Sequence, residues 1–425
     1  VTTSLLTDRY ELTMLDAALQ SGRAHRQSVF EVFARRLPED RRFGVVAGTG
    51  RLLELISQFT FSDDDLASVS EFLTPAAVEY LASYRFGGTI SGYAEGELYF
   101  PNSPILVVEG TFAEAVILET LVLSVLNYDS AVASAAARMV AAADGRPLAE
   151  MGSRRVGERS AVAAARAAYI AGFSATSNLE AGRTWGIPTM GTAAHSFTLL
   201  HDTEEEAFRA QVEALGPGTT LLVDTYDITA GVELAMRVAG TSLGAVRIDS
   251  GDLPVVVKQV RAQLDSLGAT NTKITVTNDL DEYTIAALRA APVDSFGVGT
   301  SVVTGSGHPA SGMVYKLVAR ENDNGEWISV AKKSADKVSV GGRKYPERTI
   351  VRGRATAETI HVGTPGDSGR DLLVPLVTNG EVDEAACGPA GVVAAREHHA
   401  AAIAELPPVA FSLGRGEPAV PTVFR

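Results

Sequence analysis

Ala245-Val246-Arg247-Ile248-Asp249-Ser250-Gly251-Asp252 is a short apolar run closed by turn formers, and Leu253 to Leu267 after it carries a helical pattern. The same grammar repeats on both sides. Thr220-Leu221-Leu222-Val223 leads into Gly231 to Val238, and Lys273-Ile274-Thr275-Val276 leads into Asp281 to Ala290. Upstream, Leu148-Ala149-Glu150-Met151 precedes Ser160 to Ala171, and Pro188-Thr189-Met190 precedes Thr203 to Leu215; Ser295-Phe296-Gly297-Val298 closes the series. Strands buried on both faces read as short continuous apolar runs, and their alternation with helices implies βα units on a parallel sheet. So many units predict a (β/α) barrel, whose chemistry gathers at the C-terminal ends of its strands.

Unusual polar residues do fall there. In chain order they are Gly152-Ser153-Arg154-Arg155, Phe173 to Asn178, Gly191-Thr192-Ala193-Ala194-His195-Ser196-Phe197, Asp224-Thr225-Tyr226-Asp227, Asp249 to Asp252, Thr277-Asn278-Asp279, and Gly299-Thr300-Ser301 with Val302 to Gly305 behind it. Each has an ordinary use, because Gly, Asp, Ser and Thr form turns and cap helices, and Asp224 or Asp279 taken singly reads as a cap. Together they form a polar face. Helix starts after Ser250-Gly251-Asp252 and Gly299-Thr300-Ser301 offer N–H groups to a phosphate. Arg154, Arg155 and Arg247 offer bidentate charge. Asp249, Asp252 and Asp279 are candidate ligands of Mg²⁺. His195 is one of seven histidines, and an imidazole there can move a proton, bind a metal or accept a phosphoryl group. The residues alone thus read as a phosphate-handling enzyme using a divalent cation.

The chain of 425 residues exceeds one ordinary core. We read residues 1–146 as an N-terminal α+β domain with room to recruit C-terminal strands, 147–312 as the α/β barrel, and 313–425 as a β-rich and helical extension. In the first part, Asp8 is a plausible N-cap, Val29 to Phe33 alternates as a strand, and Thr89 to Val108 is strand-like with turns at Gly92, Gly96 and Pro101-Asn102. Ala113 to Ala143 reads as helix broken near Asn127-Tyr128-Asp129. In the last part, Ser334 to Asp371 has no clear pattern, Gly391 to Leu406 reads as a helix carrying His398-His399, and the tail from Pro407 as irregular. Adjacent side chains on a helix point about 100° apart, so the two histidines are poorly placed to share one ion.

The net charge of −14, from 37 basic and 51 acidic residues, argues against a nucleic-acid or anionic-membrane binder. The longest apolar stretch noted, Ala113 to Leu126, is too short and interrupted for a bilayer span. The beginning shows no signal-peptide pattern, and Cys387 is the single cysteine, so a cytoplasmic protein without a thiolate zinc cluster is expected.

With these residues in view, the chain resembles the nicotinate phosphoribosyltransferases, of the type II phosphoribosyltransferase kind. The resemblance is carried by Thr7-Asp8-Arg9-Tyr10-Glu11-Leu12-Thr13-Met14, Gly152 to Arg155, Gly191 to Phe197, Asp224 to Asp227, Arg247 to Asp252, Gly299 to Thr304 and Val314-Tyr315-Lys316-Leu317-Val318. It implies a transferase that joins nicotinate to phosphoribosyl pyrophosphate in NAD salvage, with Mg²⁺, driven by ATP through a phosphohistidine at His195. It implies that Tyr10 stacks on the pyridine ring from the neighbouring subunit of a homodimer. Arg154 and Arg155 would contact phosphates and the nicotinate carboxylate. Arg247 would face the base and phosphate, Asp249 the ribose hydroxyls, and Asp279, Gly299 and Thr300 the 5′-phosphate end. Phe173, Thr192, Ser196 and Thr304, in the same motifs, join them as substrate-binding candidates. Ser177 matches the position where the nicotinamide enzymes carry an aspartate; a hydroxyl donates to a carboxylate that an aspartate would repel. Rival readings are a nicotinamide- or quinolinate-type phosphoribosyltransferase, and a non-catalytic nucleotide-binding protein on the same fold.

Overall fold

A computed structural model describes residues 2–332 and 339–425. It divides into two compact units, Val1–Ser134 with His308–Arg425, and Ala135–Gly307.

The first unit shows why 313–425 is no separate extension. Its central sheet has seven strands in the order Trp327–Ser329, Met313–Glu321, Gln27–Ala34, Leu106–Thr111, Thr89–Tyr93, Leu373–Thr378, Glu381–Val382. Met313–Glu321 pairs antiparallel with Gln27–Ala34, and Leu373–Thr378 with Thr89–Tyr93. Seven of the eight residues of Gln27–Ala34 are buried, so both faces of that strand are covered rather than one. Its Glu31 is among them, paired with Lys344 Nζ at 2.6 Å. Leu12, Leu15, Phe30, Val32, Leu52 and Val108 belong to one core cluster, each such side chain contributing roughly 2 kcal/mol on burial.

Two local expectations change here. Glu119–Ala143 is one unbroken helix of 25 residues. Asn127 and Asp129 do not interrupt it because both are satisfied from outside: Asn127 Oδ1 accepts from Met313 N at 2.8 Å, and buried Asp129 pairs with Arg51 at 2.8 Å. By length and composition this helix is apolar enough to cross a membrane, but 72% of its apolar window is buried within the protein, as in a core helix. Gly92 lies inside a strand, not in a turn; a Cβ there would come within 2.7 Å of Leu376 Cδ1.

The patternless Ser334 to Asp371 stretch contains a hairpin, Lys344–Val351 with Arg354–Val362, flanked by Arg370–Asp371 and Thr422–Phe424 in a second sheet; its residues 334–338 lie outside the described residues. Buried charges anchor the hairpin. Arg348 pairs with Glu358 at 2.8 Å and with Glu97 at 3.4 Å, and Glu97 also takes Arg370 at 2.8 Å. His398 and His399, on helix Gly388–Ala404, serve the same region: His398 Nε2 lies 3.0 Å from Glu97 Oε2, and His399 Nδ1 lies 2.9 Å from the Gly96 carbonyl.

The second unit carries the repeating βα grammar. Six parallel strands run in the order Ala175–Thr176, Leu148–Glu150, Ser295–Val298, Lys273–Val276, Ala245–Ile248, Thr220–Leu222. The helices between them include Glu158–Ile170, Glu204–Leu215, Ile228–Ala239 and Leu253–Ser266. Glu204–Leu215 starts at a capping box in which Thr203 and Glu206 satisfy each other's backbone N–H. Pro188-Thr189-Met190 is a single bridge, Thr189 to Thr176, rather than a strand. Pro188 has no N–H to offer a ladder. Among the described residues the ladder therefore extends past Thr176 by this one bridge, and no pairing joins its edges into a ring.

Candidate active site

Strand ends of the second unit place the polar residues. On Ala245–Ile248, Val246 and Ile248 are buried while Arg247 points the other way, its side chain 18% exposed. Its guanidinium reaches three groups. Nε donates to Thr277 Oγ1 at 3.1 Å, Nη1 donates to the Ala193 carbonyl at 3.3 Å, and Nη2 lies 3.7 Å from Asp249 Oδ2. Thr277 Oγ1 donates in turn to Asp249 Oδ1 at 2.6 Å. Arg247 and Asp249 are thus joined directly and through a hydroxyl.

His195 opens the short helix His195–Leu200, after the Gly191 to Ala194 loop. Its Nδ1 lies 3.1 Å from Thr225 Oγ1. Its Nε2 lies 3.8 Å from Asp224 Oδ1 and 3.9 Å from Asp249 Oδ2. Ionised carboxylates only accept hydrogen bonds, so both favour the tautomer with its proton on Nε2; in that tautomer the Nδ1 lone pair faces Thr225 Oγ1, whose hydroxyl can donate to it.

Asp224 was the residue the sequence undersold. The cap of helix Ile228–Ala239 is Asp227, whose Oδ1 accepts from Ala230 N at 2.8 Å. The Asp224 side chain is instead fully buried. Its Oδ2 accepts from Asp249 N and Ser250 Oγ, both at 2.7 Å, and its Oδ1, facing His195, has no hydrogen-bond partner. The signal was present in Asp224-Thr225-Tyr226-Asp227: with the helix starting at 228, one aspartate caps it and the other is left over. Thr225 and Thr277, whose hydroxyls contact His195 and Asp249, stand in the polar strand-end clusters but not among the predicted site residues.

Beside this cluster lies a cavity of about 420 Å³. Its lining includes Arg154, Ser177, Thr192, Ala193 and Arg247 near the strand ends, and Thr220, Thr275 and Ser295 deeper between the strands. Of the predicted site residues, Arg154, Ser177, Thr192 and Arg247 therefore share a wall, and His195 and Asp249 join them through Arg247. Others stand apart from the lining. Phe173 is fully buried core. Arg155, Ser196, Asp279 and Thr300 are exposed; Thr304 Oγ1 donates to the Thr300 carbonyl at 2.8 Å. Gly299 begins a helix of only four residues, Thr300–Val303. Asp279 occupies a left-handed turn at φ 38°, and Asp281, not Asp279, caps the next helix. Asp252 precedes Leu253–Ser266 without a side-chain cap bond. Among the described residues no group of three or more His, Cys, Asp or Glu is gathered for a metal, so Asp249, Asp252 and Asp279 do not form a shared cage. Tyr10 belongs to the first unit, on helix Arg9–Gln20, where it is 46% exposed; burial of its hydroxyl and the nearby Glu119 and Glu11 push its pKa up to about 12.

Comparison with known proteins gives a consistent answer. Residues 5–127 match the model of the nicotinate phosphoribosyltransferase N-terminal domain, and residues 147–361 that of the nicotinate phosphoribosyltransferase family. The chain is 58% identical to nicotinate phosphoribosyltransferase pncB1 of Mycobacterium tuberculosis over 98% of its own length and 94% of that protein's. It is 39% identical to the nicotinate phosphoribosyltransferase of Bacillus subtilis, covering 82% of this chain and 73% of the relative. The crystal structure of human nicotinic acid phosphoribosyltransferase shares its fold, with a TM-score of 0.83, 24% identity, and coverage of 99% and 97%.

Proposed function

The chain belongs to the nicotinate phosphoribosyltransferase family, and we propose that it joins nicotinate to phosphoribosyl pyrophosphate, releasing nicotinate mononucleotide and pyrophosphate, with ATP hydrolysis coupled through a phosphohistidine at His195. The observation that carries the coupling is the unpartnered Asp224 Oδ1 at 3.8 Å from His195 Nε2. A buried carboxylate facing one ring nitrogen favours the proton there, leaves the lone pair on the other nitrogen, and stabilises the positive charge that develops when that nitrogen attacks the terminal phosphorus of ATP and ADP departs.

The transfer itself needs no protein nucleophile. The pyridine nitrogen attacks the ribose carbon as pyrophosphate leaves, through an oxocarbenium-like state, so catalysis lies in positioning and charge stabilisation. Arg247 suits the phosphate side, held at three points. Asp249 suits the ribose hydroxyls, its carboxylate 32% exposed. Arg154 and Ser177, on the cavity wall, suit the nicotinate carboxylate, one by charge and the other by a donated hydroxyl.

Mg²⁺ fits this site in one way. With no cage among the described residues, it would be held by a single partly exposed carboxylate such as Asp249 together with substrate phosphates, a common mode for this ion. When bound, it would supply charge neutralisation on the leaving pyrophosphate. The homodimer belongs to the same reading, since Tyr10 is exposed and available to a second copy. So does a cytoplasmic location.

The coupling is tested by intact-protein and peptide mass spectrometry after incubation with ATP and Mg²⁺ at neutral or basic pH. The reading expects an acid-labile phosphoryl adduct on His195 that is missing in His195→Ala. An unmodified His195 under those conditions refutes it.

A further inference from the structure

We propose that Glu150 is a positioning residue that sets affinity for nicotinate, by tying together the two loops that present Arg154 and Ser177 to the cavity. The proposal rests on the reading above, that this cavity takes nicotinate.

Glu150 ends strand Leu148–Glu150 and is fully buried. Its two carboxylate oxygens serve different loops. One accepts from Gly152 N, at the root of the Arg154 loop, and the other accepts from Thr176 Oγ1 at 2.6 Å, at the root of the Ser177 loop. Its carbonyl oxygen also accepts from Ser177 N at 2.8 Å. A second tie closes the circuit: Thr176 Oγ1 accepts from Asn178 N at 3.0 Å, and Asn178 Nδ2 donates to Ser153 Oγ at 3.0 Å. Asn178 Oδ1 meanwhile caps helix Leu179–Trp185 through Ala181 N at 2.9 Å, which fixes the far side of the loop.

A carboxylate buried at this depth is costly, and burial pushes its pKa upward. What it supplies is two acceptors from one side chain, aimed at two donors from separate loops. An apolar residue would leave the Gly152 N–H and the Thr176 hydroxyl without acceptors. The Arg154 loop has little room to relax in compensation, since a Cβ on Gly152 would overlap Val303 Cγ1. Losing the tie therefore frees Arg154 and Ser177 to drift relative to each other. Their shared ligand is the nicotinate carboxylate, whereas His195, Asp224, Asp249 and Arg247 are held by bonds that do not involve Glu150.

The test is steady-state kinetics on the full-length protein with nicotinate, phosphoribosyl pyrophosphate and ATP, for Glu150→Ala, Glu150→Gln and Thr176→Val. Glu150→Ala and Thr176→Val are expected to raise the KM for nicotinate on the order of tenfold, the size of one or two lost hydrogen bonds to a charged group. The kcat, the KM for phosphoribosyl pyrophosphate and His195 phosphorylation should stay near wild type. Glu150→Gln should recover most of the affinity, because its amide oxygen can accept from Gly152 N and its amide nitrogen can donate to Thr176 Oγ1. Thr176→Val keeps the side-chain shape and decides the matter if Glu150→Ala does not fold. Unchanged nicotinate KM in folded variants of an active enzyme overturns this proposal alone, as does an equal rise in both KM values. A wild-type protein that makes no nicotinate mononucleotide overturns the underlying reading and this proposal with it.

Discussion

Asp224 and His195 face each other across 3.8 Å, and the Asp224 oxygen that looks at the imidazole has no hydrogen-bond donor of its own. The other oxygen is saturated by Asp249 N and Ser250 Oγ, so the side chain cannot rotate without breaking two bonds. Asp224→Asn keeps the shape but presents either a neutral oxygen or an N–H to His195 Nε2. The negative charge facing that nitrogen is then lost, and the ring is free to take the other tautomer. We expect His195 phosphorylation by ATP to slow on the order of a hundredfold or more, as when an aspartate orienting a catalytic histidine becomes an amide. Rapid-quench measurement of the phosphoenzyme checks this; a rate within threefold of wild type contradicts it.

His195→Ala should separate coupling from transfer. The imidazole is placed for phosphoryl chemistry, not for the ribose carbon, so its removal should abolish ATP hydrolysis while a slow, uncoupled formation of nicotinate mononucleotide persists. Product assays at saturating substrate with and without ATP report both. Complete loss of transfer would show that His195 does more than carry the phosphoryl group.

Ser177→Asp should change the preferred base. A carboxylate on the cavity wall repels the nicotinate carboxylate and accepts from the amide of nicotinamide. The KM for nicotinate should rise at least tenfold, on the order of one like-charge contact, with a fall in the KM for nicotinamide. Parallel kinetics with the two bases test it, and an unchanged ratio places base selection elsewhere.

The first unit should weaken in acid through His399. Burial pushes its pKa down from 6.5 to about 4, and Nδ1 faces the Gly96 carbonyl. The unfolded chain takes up a proton near pH 6.5, which the folded protein declines until about pH 4. Stability from this group is therefore whole above pH 6.5 and lost as pH falls toward 4, by about 3 kcal/mol. Urea unfolding at pH 7.5 and 4.5 should show a steeper loss for wild type than for His399→Gln; equal losses would mean that His399 already titrates normally.

How much of this could be read from the chain follows from where each signal lies. The parallel sheet was legible because five of its six strands lie in short, mostly apolar runs followed by Gly, Asp or Thr, as at Ala245 to Asp252. Ala175–Thr176 was not, since two residues carry no periodicity. The N-terminal domain was given room for C-terminal strands, but which strands meet was not legible, because pairing such as Met313–Glu321 with Gln27–Ala34 joins segments nearly 300 positions apart. His195 and Asp249 stood out by residue type after apolar runs, and Arg247 by its charge inside one. Asp224 did not, because its role depends on which aspartate the helix start uses as its cap. Glu150 was hidden for a similar reason: within Leu148-Ala149-Glu150-Met151 it looks like an ordinary strand-end charge, and only the folded loops bring two donors to it.

The central claim is most directly tested by assaying the purified protein with phosphoribosyl pyrophosphate and Mg²⁺, offering nicotinate or nicotinamide, each with and without ATP, and quantifying mononucleotide and ADP. Nicotinate mononucleotide should form fastest with ATP, with ADP released alongside it and little product from nicotinamide. Equal use of nicotinamide, or nicotinate turnover indifferent to ATP with no ADP released, would contradict it.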